Sequence, residues 1–204
     1  MTPLVLALCL TAEPEPRLLA PEVTAGVGLL GSGYAFTGGR LGEAQLAPVV
    51  TARHLLGGFT VEGGVLLVIP TAGTTGVSFT GAARLGWTGL HWSVLAGALV
   101  QWTHDATPAL QLLPTLRASA DFGPFGLSLG VFDHLGLVPA HLSVDVRVGR
   151  SGFSLGWVAP IGLLLSTHFA LEDRFGLTAT AFAFKLLQTE VAMVSISGTY
   201  GGAR

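Results

Sequence analysis

From His141 to Val148 apolar and polar residues alternate without a break. Leu142, Val144, Val146 and Val148 fall on one side, and His141, Ser143, Asp145 and Arg147 on the other. Side chains two residues apart share a face of an extended strand, so a period of two dictates a strand with one apolar face. The pattern recurs. Leu90, Trp92, Val94, Ala96, Ala98, Val100 and Trp102 oppose a face carrying Ser93, Gln101 and Thr103; Val77, Phe79, Leu85 and Trp87 oppose Ser78, Thr80 and Arg84. Leu110, Leu112 and Leu116 oppose Gln111, Thr115 and Arg117. Two stretches, 85–103 and 153–171, lack Asp, Glu, Lys and Arg. Each approaches the roughly 20 residues of a spanning helix, which makes a polytopic helical membrane protein one alternative. Alternation reads both as strands.

Alternation alone also fits a soluble sandwich, and composition separates the two. Half of the 204 residues are hydrophobic and only 11% are charged, against roughly 25% charged in a soluble domain. Mean hydropathy is +0.64. The same values exclude disorder, which needs low hydrophobicity and high charge. A net charge of −2, with Lys185 the single lysine, leaves no basic footprint for nucleic acid. Cys9 is the single cysteine, so there is no disulfide framework. With lipid outside, every backbone group must be satisfied within the sheet, and the sheet must close on itself. The expected fold is all-β: a closed antiparallel transmembrane β-barrel.

Turn signals divide the chain into strands at about 22–32, 44–55, 58–69, 75–88, 90–102, 109–121, 125–134, 140–149, 152–160, 163–172, 175–186 and 189–200. Tight links, such as Leu56-Gly57-Gly58 and Thr88-Gly89, alternate with longer ones: Gly33 to Glu43, Pro70 to Thr74, Thr103 to Pro108 and Leu135 to Pro139. Short periplasmic turns alternating with longer external loops is the pattern of bacterial barrels, whose strand numbers are even. The count rests on a turn at Ala159-Pro-Ile-Gly162. With it the barrel has twelve strands; ten is the alternative. Trp92 and Trp102 stand ten residues apart on one face, matching the ~9–11 residues of a tilted spanning strand. Trp87 lies across a turn from Trp92, and Phe122 and Phe125 flank Gly123, so these five aromatic residues form the expected interfacial girdle.

Residues 1–12 are apolar and stop at Glu13-Pro-Glu-Pro16, the outline of a signal peptide. The expected organisation is a signal peptide at 1–12, a short segment at 13–21, one barrel at 22–200 and a tail at 201–204. On the alternation, the girdle and the turns, residues 22–200 resemble the small outer-membrane β-barrel proteins of Gram-negative bacteria. The last strand, Val191 to Tyr200, is similar to the terminal assembly signal of that class, although Gly201-Gly-Ala-Arg204 follows its aromatic residue. The resemblance implies an outer-membrane location, lipid as surroundings, the barrel-assembly machinery as partner and both termini in the periplasm.

Parity assigns Arg53, Glu62, Arg84, Gln101, Gln111, Arg117, His141, Asp145, Arg147, Glu172 and Lys185 to the lumen. Mixed signs suggest ion pairs filling the interior, whereas a row of one sign would mark an ion-selective constriction. The candidate for catalysis is His141-Leu-Ser143. It resembles the His-x-Ser motif of the outer-membrane lipid A deacylases, which implies a His-activated Ser attacking an acyl ester. Val144 stands where that family has Asn, and around Leu155 there is no counterpart of its supporting Glu. His54, His91, His104, His134 and His168 show no zinc spacing. His104-Asp105 and Asp133-His134 open expected external loops. The sequence therefore reads as a non-enzymatic outer-membrane barrel without metal or cofactor, either a small-solute channel or a structural component. An acyl-ester hydrolase using His141 and Ser143 is the alternative.

Overall fold

The structure, a computed structural model, describes residues 21–36, 39–72, 77–104, 110–149, 151–171, 174–186 and 189–201. The expected signal peptide at 1–12 and most of the C-terminal tail lie outside the described residues. The chain forms β1 (Glu22–Phe36), β2 (Gly39–Leu56), β3 (Phe59–Ala72), β4 (Ser78–Thr88), β5 (Trp92–Thr103), β6 (Leu110–Phe122), β7 (Phe125–Asp133), β8 (Val138–Val148), β9 (Ser151–Val158), β10 (Ile161–Ala170), β11 (Phe175–Leu186) and β12 (Thr189–Tyr200). Each strand pairs antiparallel with its sequence neighbours, and β1 pairs with β12 from Val23↔Tyr200 to Tyr34↔Thr189. The sheet is a closed barrel of twelve strands. Segments 85–103 and 153–171 are strand pairs interrupted by turns, which replaces the helical alternative. The break at Ala159-Pro160 separates β9 from β10, so twelve holds over ten.

The end of the barrel that holds Glu22 and Tyr200 is called here the terminal end, and the opposite end the far rim. The barrel is tallest at β1–β3, and the expected long link from Gly33 to Glu43 is strand instead. Its backbone continues the ladder to Phe36↔Gly39. The wall is low across β7–β9, where β7 ends at Asp133 and β9 is the shortest strand at 8 residues.

Strand parity sorts the two faces. Val27, Leu29, Val50, Val65, Leu112, Leu142, Val144, Leu155, Leu163 and Ile196 are exposed on the outer surface, as a lipid solvent requires. At the terminal end Trp87, Trp92, Phe122 and Phe125 face outward, and Trp102 does so toward the far rim. Trp87 packs edge-on against Phe59, with ring centroids 5.7 Å apart. Inside, the lumen contains more than polar groups. Leu30, Ala47, Leu66, Val68, Val158, Leu164, Phe182, Phe184 and Met193 point inward and form one buried apolar cluster with Leu135 and Val138.

Candidate functional site

The link between β7 and β8 does not stand outside the barrel as an external loop. At Phe132 the backbone enters the left-handed region, with φ of 45°. Beyond it, Asp133 and its ladder partner Val138 continue the parity of the outward-facing Leu129, Val131 and Leu142. Both are nevertheless buried, 2% and 0% exposed. The tip of the hairpin has bent into the lumen. His134 and Leu135 also have positive φ, 48° and 57°, although left-handed backbone costs an L-residue about 1–2 kcal/mol. Pro139, opposite Phe132, brings no N–H to the ladder, and pairing lapses between Val131↔Ala140 and Asp133↔Val138.

The composition of the tip explains why it folds inward. Leu135-Gly136-Leu137-Val138 is an apolar run, and each large apolar side chain left in water forgoes roughly 1.5–3 kcal/mol of burial. The walls make room for it. A Cβ on Gly64 of β3 would stand 3.2 Å from Leu135 Cδ2, and one on Gly136 would stand 3.3 Å from Leu99 Cδ2 of β5. The His134 ring packs against Phe182 of β11 at 6.5 Å. The tip thus reaches from β7–β8 to β3 and β5 on one side and β11 on another.

Charge fixes its base. Asp133 Oδ1 accepts from Arg84 Nη2 at 2.8 Å and from Arg117 Nη2 at 2.7 Å, and its Oδ2 accepts from Arg117 Nε at 3.1 Å. The same guanidinium groups donate to Glu62, Arg84 to Oε1 and Arg117 to Oε2. Two carboxylates and two guanidiniums leave no net charge, the condition under which ions tolerate burial. Arg84 Nε donates to Thr115 Oγ1 at 2.9 Å, and that hydroxyl lies 3.1 Å from the carbonyls of Val131 and Phe132. The cluster therefore grips both the carboxylate and the backbone at the bend.

His141 stands beside this cluster, with Nε2 3.9 Å from Asp133 Oδ2 and its ring 5.5 Å from that of His134. Gly130 provides its space, since a Cβ there would collide with Cε1 of the His141 ring. Among the described residues His141 Nδ1 has no hydrogen-bond partner. Ser143 Oγ is 2.6 Å from Ser128 Oγ. Asp133, His134 and His141 offer ligand atoms within 4.8 Å of one another. Both oxygens of Asp133 are engaged by guanidiniums, and this field opposes a cation. Burial pushes the His134 imidazole, in the link outside the strands, down to about 4.

Below the tip a cavity of about 360 Å³ reaches the terminal end at Glu22 and Thr199 and is roofed by His134, Leu135 and Leu137. Its walls are rich in hydroxyls, among them Thr24, Thr51, Ser166, Thr178 and Ser197. Arg53 lines it and donates to Thr88 Oγ1 at 3.2 Å.

Of the residues assigned to the lumen by sequence, Glu62, Arg84, Arg117 and His141 come together at the tip. Gln101 is inward and half-buried. Asp145 pairs with Ser154, and Arg147 pairs with Asp121 at 2.6 Å at the exposed terminal end. Gln111 has lumen parity but is exposed near the start of β6. Lys185 is a correction. Phe182 and Phe184 are buried inside, so Lys185 has the outward parity, and its Nζ lies 3.7 Å from Glu190 of β12. Near a rim a lysine stem can lie along apolar surface with its ammonium in water. Glu172 and Asp105 lie outside the described residues. Asp133, taken from sequence as the start of a solvated loop, is instead the centre of the cluster.

A closed antiparallel barrel with an apolar outer belt and aromatic residues toward its ends defines the class: this is a transmembrane β-barrel of the Gram-negative outer-membrane kind. No protein-family model and no curated protein matches the sequence. Among solved structures the barrel is similar to outer membrane phospholipase A from Escherichia coli, at 9% identity and a TM-score of 0.50, over 91% of this chain and 97% of that one. It is also similar to the Salmonella typhi outer membrane phospholipase, at 9% identity and a TM-score of 0.49, over 86% and 90% of the two chains. For Neisserial surface protein A the values are 11% and 0.39, over 88% and 96%. At such identities the likeness speaks for the fold alone.

Proposed function

We propose that this protein is a non-enzymatic outer-membrane component whose lumen is closed at rest, the structural rather than the open-channel role. The observation that carries this reading is the β7–β8 tip, which crosses the lumen and joins an apolar cluster drawn from both sides of the barrel. Water and ions do not pass a layer of packed Leu, Val and Phe side chains without a hydrophobic barrier.

Likeness to a phospholipase brings ester hydrolysis into consideration for this chain, through His141 and Ser143. Their surroundings do not favour it. The two side chains are 4% and 2% exposed and face the interior, whereas an acyl-ester nucleophile must meet its lipid. The test combines planar-bilayer conductance with fatty-acid release from phospholipid vesicles by the folded protein and its Ser143→Ala variant. No steady conductance and no Ser143-dependent release are expected. A continuously open wild-type pore, or release abolished by Ser143→Ala, overturns the proposal.

A further inference from the structure

The hairpin tip differs from the rest of the barrel in how it is held. Most of the wall is a continuous backbone ladder, apart from an irregular stretch of β2–β3 between Ala44 and Val49; between Phe132 and Pro139 the ladder lapses at a hairpin tip that has turned inward. Three non-glycine residues in a four-residue stretch, Phe132, His134 and Leu135, have positive φ, and Gly136 follows with φ of 82°. Such backbone persists only where its surroundings over-determine it, and it concentrates at elements that switch. The fixing contacts at the base are side-chain bonds from Arg84 and Arg117 to Asp133, both reaching from other strands. Beneath lies a cavity that already extends to the terminal end. A pore therefore exists along part of the axis, and the tip forms its roof.

We propose that the tip, residues 133–138, is a displaceable plug, hinged at Phe132 and Pro139 and latched by Asp133 on Arg84 and Arg117. Its displacement joins the cavity to the far rim and turns the closed barrel into a pore for small solutes. The inference rests on the closed-lumen reading above. Mixed charges and hydroxyls along the cavity suit small polar solutes of either sign.

The test is single-channel recording of the full-length barrel in planar bilayers with potassium chloride as the probe. Heat-modifiable gel mobility verifies that each variant is folded. Two proteins are compared with wild type: one with His134–Leu137 replaced by Gly-Ser-Gly-Ser, and Leu135→Gly. Leu135→Gly suits the left-handed backbone, so it removes the plugging side chain without straining the turn. Wild type is expected to be closed with brief openings, as befits a minor state. In the two glycine-bearing variants the open fraction rises by about tenfold or more. If the folded replacement and Leu135→Gly proteins are as closed as wild type, the plug is refuted while the closed-lumen reading survives. If wild type itself conducts steadily, both fall.

Discussion

The four-charge cluster at Asp133 makes a quantitative demand. Asp133→Asn keeps the size of the side chain but leaves Arg84 and Arg117 facing Glu62 alone, an uncompensated positive charge in a buried site. Arg84 Nη2 lies 2.8 Å from Asp133 Oδ1, and at an effective dielectric of about 20 that separation corresponds to an attraction of about 6 kcal/mol. Desolvation of the two ions offsets much of it. The expected cost of breaking the pair from one side is about 3–5 kcal/mol. Arg84→Met should cost a similar amount, because it leaves Asp133 and Glu62 sharing Arg117. The double variant removes one charge of each sign and leaves a neutral Glu62–Arg117 pair, 2.9 Å apart. Its cost should fall short of the sum of the two singles by about 2–3 kcal/mol, near the upper end of coupling between contacting residues. Urea unfolding in detergent, followed by tryptophan fluorescence, measures all four proteins, since the tryptophans on the outer face report the loss of their apolar surroundings. Costs that add to within about 0.5 kcal/mol would show that the charges do not act as a unit and would refute the latch.

Two further outcomes test other parts of the molecule. Val144, exposed on the outer face in the interior of β8, should lose about 2–4 kcal/mol of stability as Val144→Arg, as expected near a bilayer midplane; urea unfolding in lipid vesicles measures it, and a near-neutral result means that this face does not meet hydrocarbon. The folded His134 holds its pKa near 4, below the ordinary 6.5, so only the unfolded chain takes up that proton between these values. Its contribution to stability is complete above pH 6.5 and is lost as pH falls toward 4. His134→Gln should therefore flatten the fall of stability relative to wild type in that window, and parallel pH profiles would contradict the burial of this ring.

The strands were legible because lipid outside and side chains inside enforce a strict period of two. The spans 175–186 and 189–200 read from sequence coincide with β11 and β12, and Ala159-Pro160 marks the break between β9 and β10. Where the pattern carries no alternation, the reading fails. Gly31, Gly33, Gly38, Gly39 and Gly42 supply no side-chain phase, so the continuation of β1 into β2 was hidden in what looked like a loop. Lys185 was assigned by its polarity rather than by its phase with Thr178 and Thr180, which put it on the wrong face. The phase itself held the clue to the filled lumen. Phe182 and Phe184 occupy the parity of those threonines, with Ala181 and Ala183 outside them. Large side chains inward and small ones outward invert what a water-filled pore requires.

That inversion connects the wall to the plug. Inward Phe182, Phe184, Leu164 and Met193 would leave an apolar surface in water if the lumen stayed open, and an apolar Leu135-Gly-Leu-Val run at the rim would do the same outside. Bringing the two together buries both, and the hydrophobic term drives the tip inward without specifying its position. Position comes from the charges. Asp133 has one place where it can meet both Arg84 and Arg117, and reaching that place forces the backbone at Phe132 out of the strand region. Alternation therefore broke down at the residue where burial of the tip and pairing of the carboxylate could not both be met by extended backbone. A local sequence pattern encodes phase within one strand. It does not contain Arg84, which is 49 residues away from Asp133 along the chain, and so it could not show that Asp133 would turn inward.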